Sequence, residues 1–326
     1  KKHKTTRMQM VRIFGFVFLV GTVISSEVLV IRQSDSLGNA TLSLLDDQDT
    51  TLITSDLSFP YQAPLVEATG SHDAYYVVSY PSDDPNGVAH LWKLDANLTL
   101  VQEWVQPADG LSFFDLQYSS LQDKLFGIAV NGTYGRIISH INITGSEVTA
   151  EYLVSCPYMW YVNASTFDHE NDIYYAILNN FEDPSLGQKI MVVNVANGDS
   201  NIYDYDPLSA GLLYYICFCD YGLYTMGING QSAFKKGASI GTLLLDGINA
   251  TISKQINVLG DYSGQYSPMT VTHDNEGNDI VFVVAGSDEQ YQHPVSLYLL
   301  GLNSIEAKGI VAPLVNGNAA AVAALV

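Results

Sequence analysis

The chain has 326 residues, with 34 Asp and Glu against 14 Lys and Arg, a formal net charge of −20. A field of that sign repels phosphate backbones and anionic lipid surfaces, which argues against nucleic acid as a partner. With 47% hydrophobic and 15% charged residues, the composition is that of a folded chain with a substantial core.

Residues 1–26 read as an export signal. Lys1, Lys2, Lys4, Arg7 and Arg12 precede an apolar run over 13–20, and Ser25 and Ser26 supply small residues for cleavage. The run is shorter than the about 20 residues that cross a bilayer, so no membrane span is expected in the mature chain. Met8 and Met10 are the candidate initiators, which would place residues 1–7 upstream of the protein. The remainder, 27–326, has no Pro-, Ser- or Gly-rich linker and reads as a single domain. It keeps all 34 acidic residues and nine basic ones, a net charge of −25.

Six sequons follow the signal: Asn39-Ala-Thr, Asn97-Leu-Thr, Asn131-Gly-Thr, Asn142-Ile-Thr, Asn163-Ala-Ser and Asn249-Ala-Thr. One sequon arises easily by chance. Six behind an export signal support one another, because acceptor sites need the secretory lumen and exposed loops. The expectation is a secreted, extracellular protein carrying N-linked glycans. Three cysteines, Cys156, Cys217 and Cys219, are too few for a disulfide scaffold. Cys217 and Cys219 fall on one side of a strand, so either can pair with Cys156 and leave the other as a buried thiol.

Along the chain a unit recurs, marked by an apolar residue followed by Asp or Asn. The step occurs at Leu45-Asp46, Leu94-Asp95, Ile141-Asn142, Val193-Asn194, Leu245-Asp246 and Leu302-Asn303, with spacings of 49, 47, 52, 52 and 57 residues. An Asx side chain at a strand end bonds nearby backbone amides and starts a tight turn. The strands predicted before these turns cover 40–45, 91–94, 137–141, 190–193, 242–245 and 296–302. Ahead of them lie 28–31, 75–78, 125–130, 173–178, 223–228 and 280–284, rich in β-branched and aromatic residues. Such continuous apolar runs imply strands covered on both faces. Shorter opening strands are predicted at 64–68, 112–116, 161–167, 213–219 and 269–272.

Four strands per unit at a period near 50 resemble the all-β architecture of β-propellers, here with six blades of four antiparallel strands. The turn Asp274-Asn-Glu-Gly-Asn-Asp279 resembles the D-x-x-G-N turn of NHL-type propellers. The signatures of WD40, kelch and sialidase repeats are missing. The first unit lacks an opening strand, and a spare apolar segment, 319–326, follows the last. The resemblance implies that this segment supplies the innermost strand of blade one and closes the ring.

Chemistry is harder to find. Three turns set His beside an acid: His72-Asp73, His169-Glu170 and His273-Asp274. The functional reading is a metal or acid–base cluster on one face; ordinary turn chemistry accounts for the same residues. Calcium is the one cofactor the turn at 274–279 suggests, but the EF-hand spacing and terminal Glu are absent. No nucleophile elbow, phosphate-binding glycine loop or His-Glu-x-x-His occurs, so no catalytic residue is assigned. Only Arg32 and Arg136 remain in the mature chain, whereas sialidase-type propellers use three arginines. Tyr158, Trp160, Tyr161, Tyr262 and Tyr266 fall at the loops between predicted blades and are the candidate surface aromatics.

The expected function is that of a non-catalytic structural or interaction module in an extracellular coat, matrix or filament, with a protein or carbohydrate partner or self-assembly. The alternatives are a carbohydrate-binding propeller and a calcium-dependent lactonase- or esterase-like hydrolase.

Overall fold

The apolar runs of the sequence form strands that pair in antiparallel succession. The computed structural model describes residues 28–33, 39–45, 51–55, 59–60, 67–79, 90–105, 112–131, 135–180, 182–183, 186–207, 211–219, 222–228, 238–257, 269–273, 279–285, 295–301, 306–314 and 319–324. The first unit contains β1 (Val28–Gln33), β2 (Asn39–Leu45) and β3 (Thr51–Thr54), with β4 (Phe59–Pro60) pairing β2. The second contains β5 (Glu67–Gly70), β6 (Ala74–Ser79), β7 (His90–Asp95) and β8 (Leu100–Val105). The third contains β9 (Ser112–Ser119), β10 (Lys124–Asn131), β11 (Gly135–Thr144) and β12 (Glu147–Ser155).

Next come β13 (Trp160–Asp168), β14 (Ile173–Asn180), β15 (Gln188–Asn194) and β16 (Ser200–Tyr205). They are followed by β17 (Leu212–Cys219), β18 (Gly222–Ile228), β19 (Ala238–Asp246) and β20 (Asn249–Asn257). These two antiparallel units form one eight-stranded sheet, joined only by the parallel pairs Asp204↔Asn249 and Tyr205↔Ala250. A last unit has β21 (Met269–His273), β22 (Asp279–Ala285), β23 (Val295–Gly301) and β24 (Glu306–Leu314). The final strand, β25 (Ala319–Ala324), returns to the start and pairs antiparallel with β1, Val28 opposite Ala324 and Val30 opposite Val322. Among the described residues no helix is long and apolar enough to cross a membrane.

Successive units stack face to face, which explains the unbroken apolar runs. On β6, Val77 faces the first unit with Leu29 and Leu44, and its neighbour Val78 faces the third with Phe113 and Leu125. On β14, Leu178 packs toward the third unit and Ile177 toward the fifth. Adjacent residues point to opposite faces of a strand, so a sheet buried on both faces needs apolar residues at both parities. Each such side chain contributes about 1.5–3 kcal/mol on burial.

The repeated apolar–Asx turn ties each unit to the one before it. Between β7 and β8, the Asp95 carboxylate accepts the Asn97 and Thr99 amides at 2.9 and 2.8 Å. That turn holds Leu98 at φ 60, buries its side chain against the first unit, and offers its carbonyl to the Ser55 hydroxyl at 3.1 Å. Between β11 and β12, the Gly145 carbonyl accepts both Trp104 Nε1–H and the Gln102 amide of β8, each at 2.8 Å. Between β15 and β16, a Cβ on Gly198 (φ +79) would meet the Leu153 carbonyl of β12 at 3.4 Å. Between β19 and β20, the Ile248 carbonyl accepts the Asp204 amide of β16 at 2.8 Å, and the parallel pairing begins there. A left-handed residue makes each reversal, which is why glycine holds three of the four positions.

One step departs from the sequence expectation. Asn142 does not open its turn: β11 runs on to Thr144, and the reversal falls at Gly145. Asp46 and Asn303 lie outside the described residues.

Trp104→Phe keeps a ring in the core but removes a donor to Gly145, and is expected to cost about 1–2 kcal/mol in denaturant unfolding. An unchanged midpoint would mean that this turn is not held from β8.

Candidate functional site

The chain crosses from the third unit to the fourth through residues 156–159, and the crossing is a tight turn. The Trp160 amide donates to the Pro157 carbonyl at 3.1 Å, and Met159 takes φ 67. An unbranched but bulky residue in the left-handed region is uncommon and costs on the order of 1 kcal/mol. Tyr158, on the outer side of the turn, is 84% exposed. The backbone thus holds a large aromatic side chain in solvent.

The two aromatic residues after it are placed differently. Trp160, expected at the surface, is only 9% exposed, because it opens β13 and enters the core shared with the third unit. Lys189 lies over its ring at 5.0 Å and forms an ion pair with Asp204. Tyr161 is half-buried, with the Arg136 guanidinium over its ring at 5.1 Å. Burial lowers the Arg136 pKa.

A chain of side-chain amides fixes the Tyr161 phenol. Buried Gln188 bonds the Leu213 backbone as a strand would, accepting its amide at 2.7 Å and donating to its carbonyl at 2.8 Å. The same Gln188 amide donates to Asn179 Oδ1 at 2.7 Å, and Asn179 Nδ2 donates to the Tyr161 hydroxyl at 3.4 Å. The fifth unit thereby braces a residue on the fourth.

Bulges interrupt β9, β13 and β17 at Asp115–Leu116, Asn163 and Tyr214. Each bulge turns a polar or aromatic residue out of the regular ladder. Asp115 has φ 60 and accepts the Ser165 hydroxyl at 2.9 Å; its carbonyl accepts the Tyr174 hydroxyl at 3.0 Å. The Gln117 amide donates to Ser165 Oγ at 3.1 Å, and Asn163 Nδ2 donates to the Tyr214 carbonyl at 3.2 Å. Asp115 keeps some exposed surface yet is ringed by protein atoms. Burial pushes its carboxyl up to about 6, against the opposing hydrogen bonds from Ser165. Nearby Cys156 is a buried free cysteine whose thiol burial raises to about 12, with Arg136 opposing.

At the opposite end of β13 the histidine turns meet. The His169 ring lies tilted against Phe167, centroids 5.3 Å apart, and hydrogen-bonds the Tyr118 backbone, while the Tyr118 ring meets His72 edge-on at 6.0 Å. The expectation that these turns approach one another is met for His72 and His169; the His273 side chain lies outside the described residues. Asp168 is spent on its own turn, accepting the Glu170 and Asn171 amides at 3.0 Å and Asn171 Nδ2 at 2.9 Å. Asp172 accepts the Ser119 hydroxyl at 2.5 Å and the Gln122 amide at 2.9 Å. Among the described residues no group of three or more His, Cys, Asp or Glu side chains is arranged to hold a metal ion.

Of the sequons, Asn97 and Asn249 are exposed, and Asn142 and Asn163 are half-buried. The side chains of Asn39, Asn131 and Cys219 lie outside the described residues, as do Tyr262, Tyr266 and the turn at 274–278. Cys217 is buried. Sequence reasoning missed Asp115, Gln188 and the bulges. Gln188 is a polar residue at the head of an apolar strand, which was the one available signal.

Comparison with solved structures places this architecture. TolB from Acinetobacter baumannii superposes with a TM-score of 0.57 at 10% identity, over 92% of this chain and 67% of that one. A protein from Lactobacillus plantarum gives 0.52 at 14% identity, over 91% and 98% of the two chains. A subtype N10 neuraminidase-like protein of A/little yellow-shouldered bat/Guatemala gives 0.50 at 10% identity, over 79% and 88%. No protein-family model matches the chain, and no curated protein matches it in sequence. At such identities the likeness concerns architecture alone, and the chain has the fold of a β-propeller.

Proposed function

We propose that the chain is a secreted, N-glycosylated and non-catalytic interaction module, a six-bladed β-propeller that serves in an extracellular coat, matrix or filament. The blade number is supported by the first strands of successive units. β25 lies against β5, then β5 against β9, β9 against β13, β13 against β17, β17 against β21, and β21 against β25 again. Each unit is then one blade, with β25 as the innermost strand of the first.

The contact role rests on Tyr158. A tyrosine held 84% exposed by a turn with a left-handed methionine offers a large aromatic contact from a fixed backbone position, with only two side-chain torsions to order on binding. The secreted protein, immobilised, is expected to capture either extracellular matrix material or further copies of itself. Tyr158→Ala should weaken that capture at least about tenfold. Its thermal stability should stay within about 0.5 kcal/mol of the parent, since the side chain is solvated. Dispersed monomers in electron micrographs, with no capture that depends on Tyr158, would sink the reading.

Glycan occupancy tests the secretory part separately. Mass spectrometry of glycopeptides is expected to find glycans on Asn97 and Asn249 and none on Asn163. The Asn163 side-chain nitrogen, the atom a glycan would occupy, is engaged between two units. Unmodified Asn97 and Asn249 in secreted material would count against a glycoprotein.

A further inference from the structure

We propose that the His169 end of the junction between the third and fourth units is an acid-responsive contact, closed while the imidazole is neutral and opened when its buried Nδ1 takes a proton. This is independent of what Tyr158 binds.

His169 Nδ1 is buried and has no hydrogen-bond partner. The ring is held by a hydrogen bond to the Tyr118 backbone and by a tilted contact with Phe167, so it cannot turn outward without leaving both. The groups facing it come from three elements. From its own turn come Asp168 and Asp172, which favour a positive ring; from the turn between β5 and β6 comes His72, which disfavours it. From β9 comes Tyr118, whose hydroxyl is committed to Asp123 at 2.6 Å. Burial outweighs the two carboxylates and pushes the imidazole down to about 4.

Both carboxylates are engaged elsewhere in the closed contact. Asp168 accepts the Glu170 and Asn171 amides, Asp172 accepts Ser119 and Gln122, the bonds that join the two units here, and neither is hydrogen-bonded to His169 Nδ1. Protonation therefore exchanges a closed contact for a solvated imidazolium. Asp115, farther along the same junction, is driven the other way: acid keeps its carboxyl protonated beside Ser165. Acid thus loosens this junction from the His169 end.

Native-state hydrogen exchange on the full chain tests this at the Gln122 amide, which is held by Ser119, and at the Val195 amide, which is held by the Asp172 carbonyl at 2.9 Å. Protection factors, corrected for intrinsic rates, are compared at about pH 7 and about pH 4.5. The parent is expected to lose on the order of tenfold or more in protection at both amides on acidification. His169→Phe, which keeps a ring but cannot titrate, should lose none beyond the rest of the fold. Should that variant fail to fold, His169→Gln retains a donor for the Tyr118 carbonyl and makes the same comparison. Equal protection at both pH values in the parent, or equal loss in the variant, would overturn the proposal.

Discussion

A chain that stops at Asn318 is expected to lose cooperative folding, not merely a few degrees of melting temperature. Residues 319–324 form the only described partner of β1 on the side away from β2, and they also lie against β5 and β21. Without them β1 becomes an open edge. Leu29 and Ile31, both 0% exposed, then lose cover on a strand paired along one side only. Losing six residues of pairing with the burial they protect costs several kcal/mol, a large part of the about 5–15 kcal/mol by which domains are stable. The checks are the yield of folded protein and limited proteolysis of the shortened chain, with a synthetic 319–326 peptide added to restore resistance. Unchanged protease resistance in the shortened chain would show that β25 is dispensable.

The second large effect largely cancels in the global stability of the parent and is read there by comparing variants. The Asp115 carboxyl is raised to about 6 in the folded chain, so between about pH 4 and 6 the folded state holds a proton that the unfolded chain has released. That stabilisation is present in acid and is lost as pH rises through this window. His169 is lowered to about 4, so the unfolded chain binds the proton first, and stability is lost as pH falls from about 6.5 toward 4. Each contribution is worth up to about 3 kcal/mol, and across the same window they oppose each other. Relative to the parent, Asp115→Asn should therefore unfold more easily on acidification. His169→Phe should become relatively more stable in acid and lose that advantage as pH rises. Urea midpoints from about pH 4 to 7 decide it; two variants that track the parent in parallel would refute the assignment.

The sequence was most legible where the physics is local and repeated. An Asx at a strand end, as at Asp95, makes its turn by bonding amides two and four residues away, so its spacing marks the units directly. Continuous apolar runs such as 125–130 announced sheets covered on both faces. The site was far less legible, because its parts meet only across units. Nothing near Asp115 in sequence predicts Ser165 fifty positions away. Trp160 was misplaced because a loop beside tyrosines and an inward strand start look alike in sequence. Asn142 misled for a related reason: at an apolar–Asx step, a strand that runs on and one that stops share the same residue pattern.

The turns between the last two strands of the second to fifth units all lean the same way, toward the unit that precedes each in the chain. A growing polypeptide meets these partners in the order of synthesis, so each newly made unit has a finished surface to dock on. The first unit is the exception, since β25, which completes it, is made after the other described strands. Until then β1 presents a bare edge of apolar sequence, and a chaperone guarding this protein would have most to do there.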